Sequence, residues 1–439
     1  MRPILKLRHI RILRTLSRRW QRRAVFTLGA LAVGIAAVGL AYAADGAQHA
    51  FRQFLRHVPY GTFILTPLGF GLAVWITNRY FPNTQGSGIP QAIAARAMET
   101  PAQRRRFVSL RAAIGKVLLT LLALLVGASV GREGPTVQVG ASLMFEIGRL
   151  TPKRQPGLIL AGAAAGVAAA FNTPLAGIVF AIEEISRSFE ARTSGLIIGA
   201  VILAGMTSLA LSGNYSYFGS TSSMLAYGPD WIAVPVCGVL GGLLGGGFAR
   251  ILILMADGLP GRLGAWIKRH PISFAVACGL GVAICGALSG NQIFGTGYAH
   301  ARSLVHGTGA LSWTYMPLKF LATAISSVSG IPGGIFSPSL AVGASLGADV
   351  SRLFPAAPMG AIVLIGMVSY FTGVVRAPIT SFVIVSEMTG NHQMLVPLMA
   401  AALIANACSK MVCREGVYHA LARRYLRGAP NAEKPGQVA

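Results

Sequence analysis

Acidic residues are scarce. Only 13 of the 439 residues are Asp or Glu, against 38 Lys and Arg, and charged residues together make up 12% of the chain, about half the share of an average soluble protein. So few charges cannot clothe a water-soluble enzyme of this length. The five cysteines, Cys237, Cys278, Cys285, Cys408 and Cys413, are an odd number scattered through apolar segments, which excludes a disulfide framework and shows no zinc spacing. The eight histidines form no His-Glu-x-x-His pattern, and Gly241 to Gly247 lacks the Lys-Ser/Thr of a phosphate loop, so no metal, nucleotide or other cofactor is expected.

What is present is apolar and small. Glycine reaches 54 residues, yet a mean hydropathy of +0.60 excludes low-complexity disorder. Runs free of Asp, Glu, Lys and Arg cover 24–44, 57–78, 155–182, 193–229, 231–249, 271–301, 320–348, 353–375 and 388–409. Most reach the roughly 20 residues that cross a bilayer. The net charge of +25 invites a nucleic-acid reading, but its distribution opposes one. Nine basic and no acidic residues fall in 1–23, and six basic against two acidic fall from Lys410 onward. Basic residues flanking spans mark the cytoplasmic side, so both termini are expected there, with an even number of crossings. The segment 1–23 reads as a cytoplasmic basic amphipathic helix leading into the first span, because its apolar run is too long for a secretory signal. Residues 426–439 read as a flexible cytoplasmic tail.

The chain repeats itself. Gly131-Arg-Glu-Gly-Pro-Thr-Val-Gln-Val-Gly-Ala-Ser-Leu143 lies over Gly334-Ile-Phe-Ser-Pro-Ser-Leu-Ala-Val-Gly-Ala-Ser-Leu346 with seven of thirteen positions identical, at an offset of 203 (334 − 131). A second match sets Phe171–Glu183 over Val375–Glu387 at an offset of 204 (378 − 174, on the shared proline). Two membrane halves, 24–212 and 231–425, are therefore expected. Gly/Pro-broken apolar segments at matching places point to a transport site between such halves.

An ionised carboxylate inside a bilayer is costly and is normally paired, protonated or functional. With acids in polar or turn regions set aside, Glu133, Glu146, Glu183, Glu184, Glu190, Asp349 and Glu387 remain. Glu133 stands just before Gly134-Pro135 and so at a helix N-terminus, where free N–H groups and the helix dipole favour a carboxylate or an external anion. Ile335 and Phe336 occupy the same place before Pro338 with no acid to compete.

Gly86-Ser-Gly-Ile-Pro90, Gly131-Arg-Glu-Gly-Pro135 and Gly334-Ile-Phe-Ser-Pro338, in this order and followed by Arg414-Glu-Gly-Val-Tyr418, resemble the anion-binding signatures of the CLC chloride channels and proton/chloride antiporters. The resemblance runs from about residue 20 to about 425. It implies an all-α polytopic membrane protein of two inverted repeats, whose broken helices meet at a central anion site, usually as a homodimer in a lipid bilayer. It further implies Ser87, Tyr418 and the N–H groups of Ile335 and Phe336 as anion ligands. Gly86, Arg132 and Gly134 would line the pore through their backbone, Glu133 would be the gating glutamate and Glu184 the inner proton relay. Glu183 and Glu387 are expected to be helix-end or inter-helix hydrogen-bonding groups. Ser337 and Gln91 stand where many relatives have Ala and Glu, and neither substitution removes an implied ligand. No paired regulatory domains are visible.

The expected function is chloride transport, with protons as the counter-substrate, through the plasma (inner) membrane. A passive channel of the same fold is the alternative. An intramembrane enzyme, such as a serine protease, is a distant one, since it needs a nucleophile and base at a span end.

Overall fold

The computed structural model describes residues 2–186, 191–213, 216–309 and 311–427; the proposed tail from 428 onward and the candidate Glu190 lie outside them. Among the described residues there is no strand, only two isolated β-bridges and nineteen α-helices. They are α1 (Arg2–His57), α2 (Thr62–Tyr80), α3 (Ile89–Ala97), α4 (Pro101–Arg105), α5 (Leu110–Leu125), α6 (Glu133–Ile147), α7 (Gln155–Phe171), α8 (Pro174–Phe180), α9 (Ala191–Ser212), α10 (Ala233–Asp257), α11 (Gly261–Arg269), α12 (Pro271–Leu288), α13 (Tyr298–Val305), α14 (Tyr315–Val328), α15 (Phe336–Ser351), α16 (Met359–Val375), α17 (Pro378–Thr389), α18 (Leu395–Val412) and α19 (Val417–Arg427). A π-helical turn, Ala181–Ser186, follows α8.

Among the described residues, six helical stretches are long and apolar enough to cross a membrane: Trp20–His57, Pro101–Leu125, Gly195–Ser212, Pro229–Asp257, Pro271–Leu288 and Leu395–Val412. The basic N-terminal segment is not a separate helix, because α1 runs from Arg2 into the first span without a break. Two charge-free runs are interrupted. The run 155–182 breaks at Asn172, whose left-handed backbone (φ 56°) caps α7 before Thr173-Pro174 starts α8. The run 320–348 is cut between α14 and α15. Hydropathy counts charges and cannot see the backbone turn that re-aims a helix.

The repeat seen in sequence organises the packing. Helix α1 packs on α7 and α9 as α10 packs on α16 and α18, and the pairs α6/α7 and α15/α16 match. At each of these two crossings, small residues let backbones touch. A Cβ on Gly140 would lie 2.2 Å from the Gly162 carbonyl oxygen, and one on Gly343 would lie 2.7 Å from that of Gly366. The Gly241–Gly247 run serves the same purpose between α10 and its neighbours α16 and α18, where lipid offers no hydrophobic drive and close van der Waals contact must hold the helices together.

Reciprocal contacts reveal a two-fold relation between the halves. Glu183 accepts from the backbone N–H groups of Ile379 (3.1 Å) and Thr380 (2.6 Å) and from the Thr380 hydroxyl (2.7 Å), at the start of α17. Its repeat partner Glu387 accepts from Leu175 (3.1 Å) and Ala176 (2.9 Å), at the start of α8. Each carboxylate thus satisfies orphan donors of the other half's broken helix, the bonding role expected of both. Glu146 and Asp349 are plainer: each pairs with an arginine three residues on, Arg149 at 2.6 Å and Arg352 at 3.6 Å.

Candidate functional site

The three signature loops are tied directly to one another. Gly131 and Gly334 exchange two hydrogen bonds of 2.7 Å, while Gly86 donates to the Ile331 carbonyl at 3.1 Å and accepts from Gly333 at 3.0 Å. The first loop is pinned from behind by the buried Nζ group of Lys116, which donates to the carbonyls of Thr84 (2.5 Å) and Gly86 (2.8 Å). Lys319, 203 positions later (319 − 116), does the same in the second half with the Ile293 and Gly295 carbonyls, both at 2.7 Å. Two buried lysine amino groups therefore hold two Gly-x-Gly turns, 86–88 and 295–297, by their carbonyls. The glycine at 134 is required by closeness, since a Cβ there would sit 2.4 Å from the Ser87 hydroxyl oxygen.

These ties bring most of the expected ligands to one place. Ser87, Ile335 and Tyr418 line a cavity of about 320 Å³ together with Gly86 and Gly333, and Arg424 adds a positive charge to its wall. The hydroxyls of Ser87 and Tyr418 are buried close to one another, and neither completes a well-formed hydrogen bond. Buried polar groups are normally paired, so two orphaned donors facing one cavity call for an acceptor. Helix α15 starts at Phe336 with Ile335 as its N-cap, and the N–H groups of Ile335 and Phe336 have no backbone acceptor among the described residues. The helix dipole adds to their pull on an anion. Pro135 and Pro338 are the third residues of α6 and α15 rather than the first, which leaves Glu133 and Phe336 inside the opening turn.

Glu133 does not line the cavity. It is 1% exposed and its side chain folds back over Gly131, where a Cβ would lie 2.4 Å from the Oε2 atom. The Oε1 atom accepts from the Ser337 hydroxyl at 2.5 Å and from the Tyr217 hydroxyl at 3.3 Å. Neither residue was singled out as a ligand by sequence reasoning. Ser337 was seen as a departure without consequence; Tyr217 comes from the connection between α9 and α10, which carries no motif. The Arg132 side chain turns away, pairing with Asp45 of α1 at 2.8 Å and donating to the Ala41 carbonyl at 2.5 Å, so only its backbone stays in the signature loop.

Glu184 lies in the π-helical turn and is 2% exposed. His419 of α19 places its Nε2 atom 2.5 Å from the Glu184 carbonyl oxygen and 3.8 Å from its Oε1 atom. The Phe336 ring packs against Phe171, Phe180, Phe371 and Tyr418, an aromatic wall beside the anion ligands. Gln91 donates to the Gln85 carbonyl at 2.6 Å and to the Tyr425 hydroxyl at 3.1 Å, bracing the first loop against α19.

The family model described as voltage gated chloride channel matches residues 68–410. The chain belongs to this family. An H(+)/Cl(-) exchange transporter ClcA of Yersinia pestis bv. Antiqua (strain Angola) is 32% identical over 390 residues, covering 83% of this chain and 78% of the relative. The ClcA exchanger of Vibrio vulnificus (strain YJ016) is 30% identical over 371 residues, covering 80% and 77%. Among solved structures, a slow cyanobacterial Cl-/H+ antiporter superposes with a TM-score of 0.78 at 25% identity, covering 92% of this chain and 98% of that one. A CLC-type fluoride/proton antiporter shares the fold with a TM-score of 0.77 at 22% identity, covering 90% and 96%. The family membership leaves the letters of a hydrolase motif to be explained. Gly127-Ala-Ser-Val-Gly131 and Gly343-Ala-Ser-Leu-Gly347 both spell Gly-x-Ser-x-Gly. Ser129 is wholly buried against Thr323 and Lys319, and Ser345 bonds within its own helix, so neither is an exposed nucleophile with a base.

Proposed function

We propose that the protein is a proton-coupled chloride antiporter and not an enzyme. The observation that carries this reading is the pair of buried hydroxyls, Ser87 and Tyr418, neither in a well-formed hydrogen bond, facing one cavity with Ile335 at the N-terminus of α15. Four neutral donors, two hydroxyls and the N–H groups of Ile335 and Phe336, strip water from chloride without the grip of a full cationic charge, so the ion can leave. The exchangers and the antiporter of comparable sequence support chloride and protons as the two substrates.

Coupling then follows from two carboxylates at different stations. Glu133, ionised, fills an anion position at the start of α6; protonated, it swings out and lets chloride pass. Gly86, Arg132 and Gly134 line that path with backbone. Glu184 receives protons from the opposite side without sharing the whole anion route. In the bilayer, residues 24–212 and 231–425 act as inverted repeats, both termini face the cytoplasm at the inner membrane, and two copies assemble as a homodimer with one pore in each.

The test is a reversal-potential measurement on purified protein in a bilayer. An exchanger's reversal potential moves with both the chloride and the pH gradient; one that follows chloride alone identifies a passive channel and refutes the proton coupling.

A further inference from the structure

The Glu133 carboxylate is held by side chains of two other segments. The Ser337 hydroxyl donates to its Oε1 atom at 2.5 Å, the Tyr217 hydroxyl reaches the same oxygen at 3.3 Å, and the two hydroxyls lie 3.4 Å apart. Oε2 has no partner. The two donors come from separate elements: Ser337 from the first turn of α15, and Tyr217 from the connection after α9. Tyr217 is buried, its ring packed edge-on against Phe171, Phe218 and Tyr298, and Tyr298 anchors the segment by donating to the Tyr217 carbonyl at 2.7 Å. The donor is therefore fixed in position and not borrowed from a loose surface chain.

We infer that Ser337 and Tyr217 form a two-hydroxyl latch that holds the Glu133 carboxylate in its docked position and sets how readily protons or chloride release it. They are positioning residues, acting on transport through Glu133, and the inference rests on the reading of Glu133 as the gate. The physical reason is one of charge. An O–H donated to a carboxylate stabilises the ionised form and is lost as a favourable contact when the carboxyl is protonated or displaced. The other charged or titratable groups around Glu133 are the Arg132 guanidinium, already paired with Asp45, and the Tyr418 hydroxyl; none replaces the latch on Oε1. Alanine at 337 leaves the backbone N–H in place and removes only the side-chain donor, so this chain would dock its gate more firmly than an otherwise equal chain with Ala there.

Loss of one hydrogen bond to a charged group weakens the docked state by about tenfold, which corresponds to about one pH unit. Ser337→Ala should therefore displace the pH profile of chloride turnover by about one unit to the alkaline side and raise turnover at alkaline pH. Ser337→Thr keeps a hydroxyl and should restore the parent profile. Tyr217→Phe keeps the ring packing and should shift the profile in the same direction by less, since its contact is longer. The measurement is chloride and proton flux from proteoliposomes across a pH series, with each variant in the Glu133→Gln background as a control in which the latch has no carboxylate to hold. Equal profiles for Ser337→Ala and the parent, or equal shifts for Ala and Thr, overturn the latch. A shift of similar size in the Glu133→Gln background also overturns it, since the effect would then arise elsewhere. A parent protein that exchanges no protons for chloride would instead overturn the antiport reading, whatever the variants do.

Discussion

Glu183 and Glu184 are adjacent in sequence yet face different tasks, and replacing each by glutamine separates structure from coupling. Glu183 holds three donors at the start of α17: two backbone N–H groups and the Thr380 hydroxyl, at 3.1, 2.6 and 2.7 Å. A hydrogen bond to a charged group contributes about 1.5–3 kcal/mol. Glutamine keeps one acceptor oxygen but loses the charge and the second oxygen, so Glu183→Gln should cost about 2–3 kcal/mol. Glu183→Ala abandons all three donors and should cost about 3–5 kcal/mol, at roughly 1–2 kcal/mol for each donor left without an acceptor. Glu184 lies in the π-helical turn with His419 of α19 3.8 Å from its Oε1 atom; glutamine keeps its shape and one acceptor oxygen there, so Glu184→Gln should cost less than Glu183→Gln, about 1 kcal/mol. Thermal inactivation in detergent, followed by gel filtration, ranks the stabilities. Paired flux measurements in vesicles then rank the coupling: Glu184→Gln should keep chloride flux and lose proton movement, while Glu183→Gln should retain the parent proton-to-chloride ratio in whatever protein survives. Coupled proton transport that persists in Glu184→Gln and vanishes in Glu183→Gln would reverse the two assignments.

The two-fold relation makes Glu387→Gln a second test of capping: it should destabilise the protein to a similar degree, with coupling intact, and parent-like stability would remove the role assigned to the α8 contacts. Glu133→Gln should carry chloride at a rate nearly independent of pH with no accompanying proton flux, and proton pumping driven by a chloride gradient in this variant would exclude Glu133 as the shared element. Gly134→Ala places a methyl 2.4 Å from the Ser87 hydroxyl oxygen and should reduce chloride turnover at least tenfold while the protein stays folded; unimpaired flux would show that the close approach of these loops does not shape the path. Lys319→Met strands the Ile293 and Gly295 carbonyls and leaves the Ser129 hydroxyl with Thr323 alone, so thermal stability should fall by about 2–4 kcal/mol, measured by the same inactivation assay.

The letters alone determined the membrane setting, the internal repeat and the loop that carries a buried glutamate, each for a physical reason that acts locally. A shortage of charge is visible without a fold, and an offset of 203 to 204 survives in the loops because the same backbone turn must be built twice. Glu183 and Glu387 were legible as bonding groups because a carboxylate in an apolar run needs donors. Which donors they found was not legible, since each caps a helix about two hundred residues away. Helix ends were also misread: Asn172 terminates α7 in a left-handed turn, an event that leaves the hydropathy of the run 155–182 unchanged. Only the tertiary structure decided that Ser337, a hydroxyl in place of a methyl, reaches the Glu133 carboxylate, and that Tyr217, in a stretch without any motif, completes the contact. The repeat sets α6 against α15 across a two-fold relation. That geometry, and no property of either residue taken singly, places the side chain at 337 on the oxygen of the side chain at 133.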